Sequence, residues 1–228
     1  MHLWHLFCSQ EVFKLDTFLA GGLWCSDLGS IIGFGNDVEG SGPQGLFVSC
    51  WHASEGDPTA RAWEIFGGGG DGFAIRTTVE ELNRYAASFS NPILAARFGA
   101  VRYIPEGVSI GDPAFEVLGH HDDEEEVRLL LELRVRDGKK EQIKEQIQKA
   151  ASSSCEGRAF CSPIDQLTSS TPSDSDSDFA MILPIDSSKL FKEFVIGSRV
   201  KPEAAVRAVQ ALQKGGVQCG VRVLAPHP

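Results

Sequence analysis

The chain contains one stretch in which a run of acidic residues continues without a break into an apolar strand. It reads Asp122-Asp123-Glu124-Glu125-Glu126-Val127-Arg128-Leu129-Leu130. A charge run usually marks a solvated turn, but residues 127–135 have the apolar content of a strand. Side chains two residues apart on a strand point the same way, so Glu124 and Glu126 are predicted to share one face. Such a pair suits a site that binds a sugar hydroxyl or stabilises positive charge, and the alternative is a solvated acidic turn.

Around this strand the hydrophobic pattern predicts short strands and helices in mixed order. Strands are predicted at residues 3–8, 23–26, 46–51, 73–76, 101–104, 179–185, 194–197 and 217–224. Helices are predicted after a cap at Ser9, from Asp57-Pro58 to residue 66, from a capping box at Thr78 and Glu81 to residue 89, from Ser187, and over residues 202–214. These elements do not alternate as βαβ units. The order therefore favours an α+β fold with a mixed, partly antiparallel sheet over a doubly wound sheet.

The length and composition favour a single domain over residues 1–228 that contains one flexible insert. The chain has 228 residues with 42% hydrophobic content, which is enough for a core. Residues 168–178 contain nothing but serine, threonine, proline and aspartate. Ordering such a segment buries little apolar surface, so residues 152–178 are predicted to be a disordered Ser/Asp-rich insert.

The charge and the cysteines exclude several classes of protein. The formal net charge is −10, and residues 1–130 alone carry nineteen Asp and Glu against seven Lys and Arg, which argues against broad nucleic-acid binding. The six cysteines form no closely spaced pair of the kind that binds zinc. No secretory signal is visible at the start, and no apolar run approaches the roughly 18 residues of a membrane span. We therefore expect a soluble, cytoplasmic protein with no membrane partner.

Three further motifs have chemical interpretations that the sequence does not favour. Residues 67–72 formally satisfy G-x-G-x-x-G, but they follow a helix and precede a strand, the reverse of a dinucleotide-binding turn. Residues 120–123 offer histidine and aspartate ligands, but adjacent residues rarely bind one ion, and a solvated loop is favoured. Cys50 and His52 share a strand face as a nucleophile and base would, yet the segment is more typical of a buried strand. The four tryptophans are predicted to be core or pocket walls.

Several short motifs occur in an order that resembles the bacterial and phage domain-of-unknown-function family 2971, over nearly the whole chain. They are Leu3-Trp4-His5, Asn36-Asp37-Val38-Glu39, Phe47-Val48-Ser49-Cys50-Trp51, Arg61-Ala62-Trp63-Glu64-Ile65-Phe66-Gly67 followed by Asp71-Gly72-Phe73-Ala74-Ile75, Val101-Arg102-Tyr103-Ile104, Glu124-Glu125-Glu126-Val127-Arg128, and Leu183-Pro184-Ile185-Asp186. Two positions depart from the family pattern. Val38 stands where the family has proline, and Phe66 stands where it has tyrosine.

The same order also resembles the ADP-ribosyltransferase superfamily. A strand with histidine is followed by a helix and glycine, then by a strand with serine, then by a strand that opens with Glu-x-Glu. The resemblance implies that His5 holds the ribose of NAD and that Ser49 supports the pocket. It implies that Glu126 stabilises the ribosyl cation and that Glu124 orients the acceptor.

Three more residues complete this predicted site. The stacking tyrosine of one branch of the superfamily has no clear counterpart, and Trp63 or Phe66 is expected to cover the nicotinamide ring instead. Arg128 is placed with the cofactor-binding residues because it is expected to pair with a neighbouring carboxylate and hold the cluster in place. No metal ligand is predicted in the site.

The resemblances lead to one functional hypothesis and two alternatives. The first is an NAD-consuming, ADP-ribosyltransferase-like enzyme, with NAD as substrate and a protein or nucleic acid as acceptor, acting in phage–host conflict. The second is a non-catalytic binding or interaction module of the same fold, and the third is a metal-dependent nuclease. The sequence leaves open whether the protein is an enzyme at all. The acceptor and the oligomeric state are also open.

Overall fold

One mixed sheet organises the part of the chain that the computed structural model describes, which is residues 1–9, 12–19, 21–28, 46–88, 94–105, 111–112, 114–118, 125–133 and 180–225. The strands are β1 (His2–Cys8), β2 (Gly22–Asp27), β3 (Leu46–Ser54), β4 (Gly72–Thr78), β5 (Leu94–Ala100), β6 (Arg102–Ile104), β7 (Glu116–Leu118), β8 (Glu126–Leu133), β9 (Ala180–Pro184), β10 (Glu193–Ile196) and β11 (Gly220–Val223). The helices are α1 (Val12–Leu19), α2 (Ala60–Ile65), α3 (Val79–Ser88), α4 (Ser187–Leu190) and α5 (Pro202–Lys214), and Gly68–Gly70 forms a 3-10 turn.

The sheet has the order β11-β10-β4-β1-β3-β2-β9, and β8 pairs with both β3 and β5. The pairs within it are antiparallel except for the parallel pair β10 and β11. Strands β6 and β7 form a separate parallel pair. This topology confirms the predicted α+β domain with a mixed sheet.

Strand β3 has a divided edge. On one side it pairs with β8 from Leu46 to His52. On the other side its residues 47–48 pair with β2 and its residues 52–54 pair with β1. Within the described strands, residues 49–51 have no ladder partner on that side. The sheet is therefore split where β1 and β2 move apart.

Alternating side chains bury the two faces of the sheet differently. The main core lies on one face, where the odd-numbered residues of β1, β3 and β8 pack with α1, α3 and α5; it includes Leu3, Phe7, Phe47, Trp51, Leu129 and Leu131. The other face carries two smaller clusters. One lies under α2 and contains Trp4, Leu6, Ala62, Trp63, Ala74 and Val195, and the other contains Leu28, Val48, Ala114 and Leu130. The split in the sheet lies between these two clusters.

The helix starts show which sequence signals are used. Thr78 caps α3 as predicted, because its Oγ1 accepts a hydrogen bond of 3.1 Å from the Glu81 amide. The predicted cap at Asp57 is wrong: Thr59 caps α2 instead, and Asp57 pairs with Arg222. The Ser9 hydroxyl donates to Asp71 over 3.0 Å.

Several predictions fall on residues outside the described part of the chain. These are the insert at 152–178, the His/Asp segment at 120–123, and Glu124. None of the described helices has the length and apolar character that crossing a membrane requires.

A close approach between β10 and the glycine turn gives the first test. A β-carbon on Gly197 would overlap the carbonyl oxygen of Gly70, which is backbone and has little room to move. We expect Gly197→Ala to lower the free energy of unfolding by about 1–3 kcal/mol, the usual cost of overpacking. Gly56→Ala is the matched control, since a β-carbon there meets nothing within 4 Å. Urea unfolding of both variants checks this prediction. Equal losses of unfolding free energy in Gly197→Ala and Gly56→Ala would contradict the close packing at Gly197.

Candidate cleft at the split in the sheet

A cleft of about 300 Å³ lies at the split in the sheet. Residues 4–6 of β1 and 48–52 of β3 form its two long sides. Trp24 and Ser26 come from β2, Lys14 from α1, and Ile65 and Phe66 from α2. Since α1 packs on the main-core face and α2 on the other, the cleft reaches through the sheet. It exists because two strands share one edge of β3 and diverge between their contacts.

His5 is held at the side of this cleft by the backbone of β3. Its Nδ1 lies 2.8 Å from the carbonyl oxygen of Cys50. A carbonyl oxygen accepts and does not donate, so Nδ1 carries the hydrogen, and in the neutral ring Nε2 is an acceptor. The imidazole packs against Phe18 and Trp51, with ring centroids 5.2 Å and 5.1 Å away. The orientation of the His5 ring is therefore fixed.

Ser49 and Trp51 place two buried polar atoms in the cleft wall. Both residues are 2% exposed. Neither the Ser49 Oγ nor the Trp51 Nε1 has a hydrogen-bond partner within the described residues. A buried donor left without a partner costs about 1–3 kcal/mol, so native proteins keep few of them.

Helix α2 brings the two aromatic candidates to different places. Phe66 lines the cleft, as a residue that covers a ligand ring must. Trp63 is 4% exposed and packs in the cluster under α2 with Trp4 and Leu6. Trp63 therefore supports the wall from behind and is not among the residues that line the cleft.

Glu126 and Arg128 form a buried ion pair next to the cleft. Arg128 Nε donates to Glu126 Oε1 over 2.8 Å, and Arg128 Nη2 donates to Oε2 over 3.1 Å. The Tyr103 hydroxyl also donates to Oε2 over 3.1 Å, and Arg128 Nη1 donates to the carbonyl of Ala114. The predicted pairing of Arg128 with a neighbouring carboxylate is thus observed. Both oxygens of Glu126 are engaged within the protein.

The pair is held on the sheet face opposite to the side chains of His5 and Ser49. Across the β3–β8 ladder, Ser49 faces Leu129, which is core, whereas Cys50 faces Arg128. Burial alone would lower the pKa of Arg128, but the hydrogen bonds and charge of Glu126 outweigh burial and raise the pKa above its ordinary value. This guanidinium stays charged, and its counter-charge is Glu126.

Cys50 lies between the ion pair and the cleft. Cys50 is half-buried and is one of the residues that line the cleft. Burial first, and then the negative charge of Glu126, raise the pKa of this thiol far above its ordinary value, although Arg128 opposes the shift. The thiol is therefore protonated near neutral pH and is a poor nucleophile. The raised pKa agrees with the interpretation of Cys50 as a residue of a buried strand.

The structure brings together part of the predicted site. His5, Ser49 and Phe66 line one cleft, whereas Glu126, Arg128 and Trp63 lie behind its walls. Sequence reasoning missed Lys14, whose position depends on how α1 docks. For the three tryptophans other than Trp63 it left core and pocket open, and these three, Trp4, Trp24 and Trp51, line the cleft.

The described lining of the cleft is poor in charged residues. Among the described residues that line it, Lys14 is the one Lys, Arg, Asp or Glu, and Lys14 has an interaction partner of its own. Among the described residues there is also no group of three or more His, Cys, Asp or Glu side chains that would hold a metal ion. The described lining of the cleft is thus largely aromatic and apolar.

The chain matches no protein-family model, and comparison with curated proteins and with solved structures finds no match either. The function of the cleft has therefore to be inferred from the residues that form it.

The buried ion pair gives the second test. Glu126→Gln leaves the buried guanidinium of Arg128 without its counter-charge, and we expect a loss of about 3–5 kcal/mol in the free energy of unfolding. The double variant Glu126→Leu/Arg128→Met removes both charges and should recover most of this loss. Urea unfolding of the single and double variants measures the coupling.

Tyr103→Phe is the control for this experiment. It removes one hydrogen bond from the same carboxylate and keeps the ion pair, so we expect a loss of about 1 kcal/mol. A loss below about 1 kcal/mol for Glu126→Gln would show that the pair does not stabilise the fold. The carboxylate would then be available for another role.

Proposed function

We propose that the protein is a binding module that takes a small organic ligand into the cleft at the split in the sheet. The observation that carries the proposal is the pair of buried polar atoms in the cleft wall, the Ser49 Oγ and the Trp51 Nε1, which have no partner within the described residues. A ligand with hydrogen-bond acceptors satisfies both. The surrounding wall is aromatic and apolar, which is the usual make-up of a small-molecule pocket.

The size of the cleft limits the ligand. Its volume of about 300 Å³ lies at the lower end of the range for ligand pockets, about 300–1,000 Å³. A ligand with one or two rings fits inside such a space. A dinucleotide is larger, so one half of it at most would be enclosed and the remainder would lie outside the cleft.

Binding is favoured over chemistry at Glu126 because of where that carboxylate lies. Both of its oxygens accept hydrogen bonds from Arg128 or Tyr103. To reach a ligand in the cleft, Glu126 would have to break its ion pair with Arg128 and move past Cys50. The buried guanidinium of Arg128 would then be left without a counter-charge. The groups that already line the cleft need no such rearrangement.

Tryptophan fluorescence tests the proposal, because three of the four tryptophans line the cleft. We expect members of a panel of fragment-sized aromatic and heteroaromatic compounds to change the fluorescence and to raise the melting temperature. Ile65→Arg, at the rim, should weaken binding by about tenfold or more by blocking entry. Ser49→Val removes one hydroxyl and should weaken binding by up to about tenfold.

Val223→Arg is the matched control for the rim variant. Val223 is another exposed apolar residue, at 64% exposure against 37% for Ile65, and it lies on strand β11, away from the cleft. The Val223→Arg variant should bind the same compounds as the unmodified protein. If no compound binds, or if Ile65→Arg and Val223→Arg bind equally well, the cleft is not a ligand site.

A second candidate function is an NAD-consuming enzyme that resembles the ADP-ribosyltransferases. The observation in its favour is that His5 and Ser49, to which the resemblance assigns the ribose and the pocket wall, line the same cleft. The engaged carboxylate of Glu126 counts against it. A role in phage–host conflict would follow from the resemblance to family 2971 alone.

Release of nicotinamide from NAD by the purified protein, with and without cell lysate as a source of acceptors, tests this candidate. The candidate requires turnover that falls by about 100-fold or more in Glu126→Gln, because the carboxylate would stabilise the ribosyl cation. The variant must first be shown to be folded at the assay temperature. Absence of release under both conditions would leave the binding module as the proposed function.

A further inference from the structure

We infer that the ligand of the cleft is an uncharged aromatic compound that carries a carbonyl group. This inference rests on the proposed binding function and adds the chemical class of the ligand. It is drawn from the hydrogen-bond donors that β3 presents at the split in the sheet, from the ion pair behind the cleft wall, and from the aromatic side chains in the lining.

Two side chains of β3 present buried hydrogen-bonding groups to the cleft. Ser49 and Trp51 both line it, and neither the Ser49 Oγ nor the Trp51 Nε1 has a hydrogen-bond partner among the described residues. They are two positions apart on one strand, so they belong to the same face of the sheet. The Trp51 Nε1 donates only, whereas the Ser49 hydroxyl donates or accepts. A ligand that satisfies Trp51 must therefore carry an acceptor, and Ser49 is able to donate to it as well.

The backbone of β3 adds a third donor between these two side chains. The ladder with β1 reaches His52 and the ladder with β2 reaches Val48, so Cys50 has no ladder partner on that side within the described strands. The Cys50 carbonyl oxygen accepts from His5 over 2.8 Å. The N–H and C=O of one residue in an antiparallel strand lie on the same edge, so the Cys50 N–H also points to the split. A carbonyl on the ligand supplies the acceptor that a neighbouring strand would otherwise provide.

The ion pair behind the wall disfavours an anion in the cleft. Burial first, and then the negative charge of Glu126, raise the pKa of the Cys50 thiol, and Glu126 outweighs the opposing effect of Arg128. Burial and the same carboxylate would oppose a negative charge on a ligand next to Cys50. Lys14 has an interaction partner of its own, so its ammonium group is not assigned to the ligand. The acceptor on the ligand is therefore an uncharged one.

A carbonyl group on an aromatic ring fits these conditions. A carbonyl oxygen has two lone pairs, so it accepts from two donors at once without carrying a charge. An ammonium group has donors and no acceptor, and it would leave the Trp51 Nε1 unsatisfied. Trp4 and Phe66 line the cleft with Trp51, and their rings favour stacking and edge contacts with a flat ligand. The carbonyl belongs to an aromatic ketone, amide or lactam.

Acetophenone, benzoate and ethylbenzene are the probes. They share a phenyl ring and are of nearly equal size, and they carry a ketone, a carboxylate and no acceptor, respectively. Ligand-observed NMR with the whole protein, up to about 10 mM or the limit of solubility, covers the affinities of fragments of this size. We expect acetophenone to bind about tenfold or more tightly than benzoate.

Trp51→Phe and Ser49→Ala each remove one side-chain donor and leave the other. Each should lower the affinity for acetophenone relative to that for ethylbenzene by about threefold to tenfold, because ethylbenzene uses neither group. The ratio of the two affinities separates the lost hydrogen bond from any change in the size of the cleft, which affects both probes.

Thr77→Val is the matched control for Ser49→Ala. The Thr77 hydroxyl is also buried and has no partner among the described residues, but Thr77 is not one of the described residues that line the cleft. The ratio of the affinities for acetophenone and ethylbenzene should stay unchanged in this variant.

Three results overturn the ligand class and leave the binding module standing. They are binding of benzoate at least as tight as that of acetophenone, a ratio that survives in both Trp51→Phe and Ser49→Ala, and a ratio that falls as far in Thr77→Val. If no probe binds, the ligand class is wrong, and the compound panel with Ile65→Arg decides separately whether the cleft binds ligands.

Discussion

The divided edge of β3 is the constraint on which the rest of the structure depends. A strand has two edges, yet β3 pairs with β8 along one and with both β1 and β2 along the other. Two strands that share an edge must diverge between their contacts, and the ladder hydrogen bonds at residues 49–51 are lost there. Each such bond is worth about 0.5–1.5 kcal/mol net. The hydrogen bond from His5 to the Cys50 carbonyl offsets part of this loss. The cleft is thus a consequence of strand topology.

The acidic stretch before β8 contributes to the fold in a way that its charge does not reveal. Val127 and Leu129 point into the main core, so Glu126 and Arg128 must point to the other face, where Leu130 and Ala114 are buried nearby. Two opposite charges placed side by side under such cover pair with each other because a lone buried charge is far more costly. The carboxylate that the sequence singled out as chemically active is therefore neutralised by a residue two positions away on the same strand.

The sequence predicted the fold well where local signals and tertiary contacts agree. The bounds of α5 were predicted to the residue, because Pro202 favours a first turn and Gly215 a stop. Strand β5 was missed because Leu94–Ala100 is rich in alanine and has a glycine, and its strand form comes from pairing with β8. Within the cleft, His5 and Ser49 were found through the order of motifs. Lys14 was not found, since its place in the lining of the cleft depends on how α1 docks on the sheet.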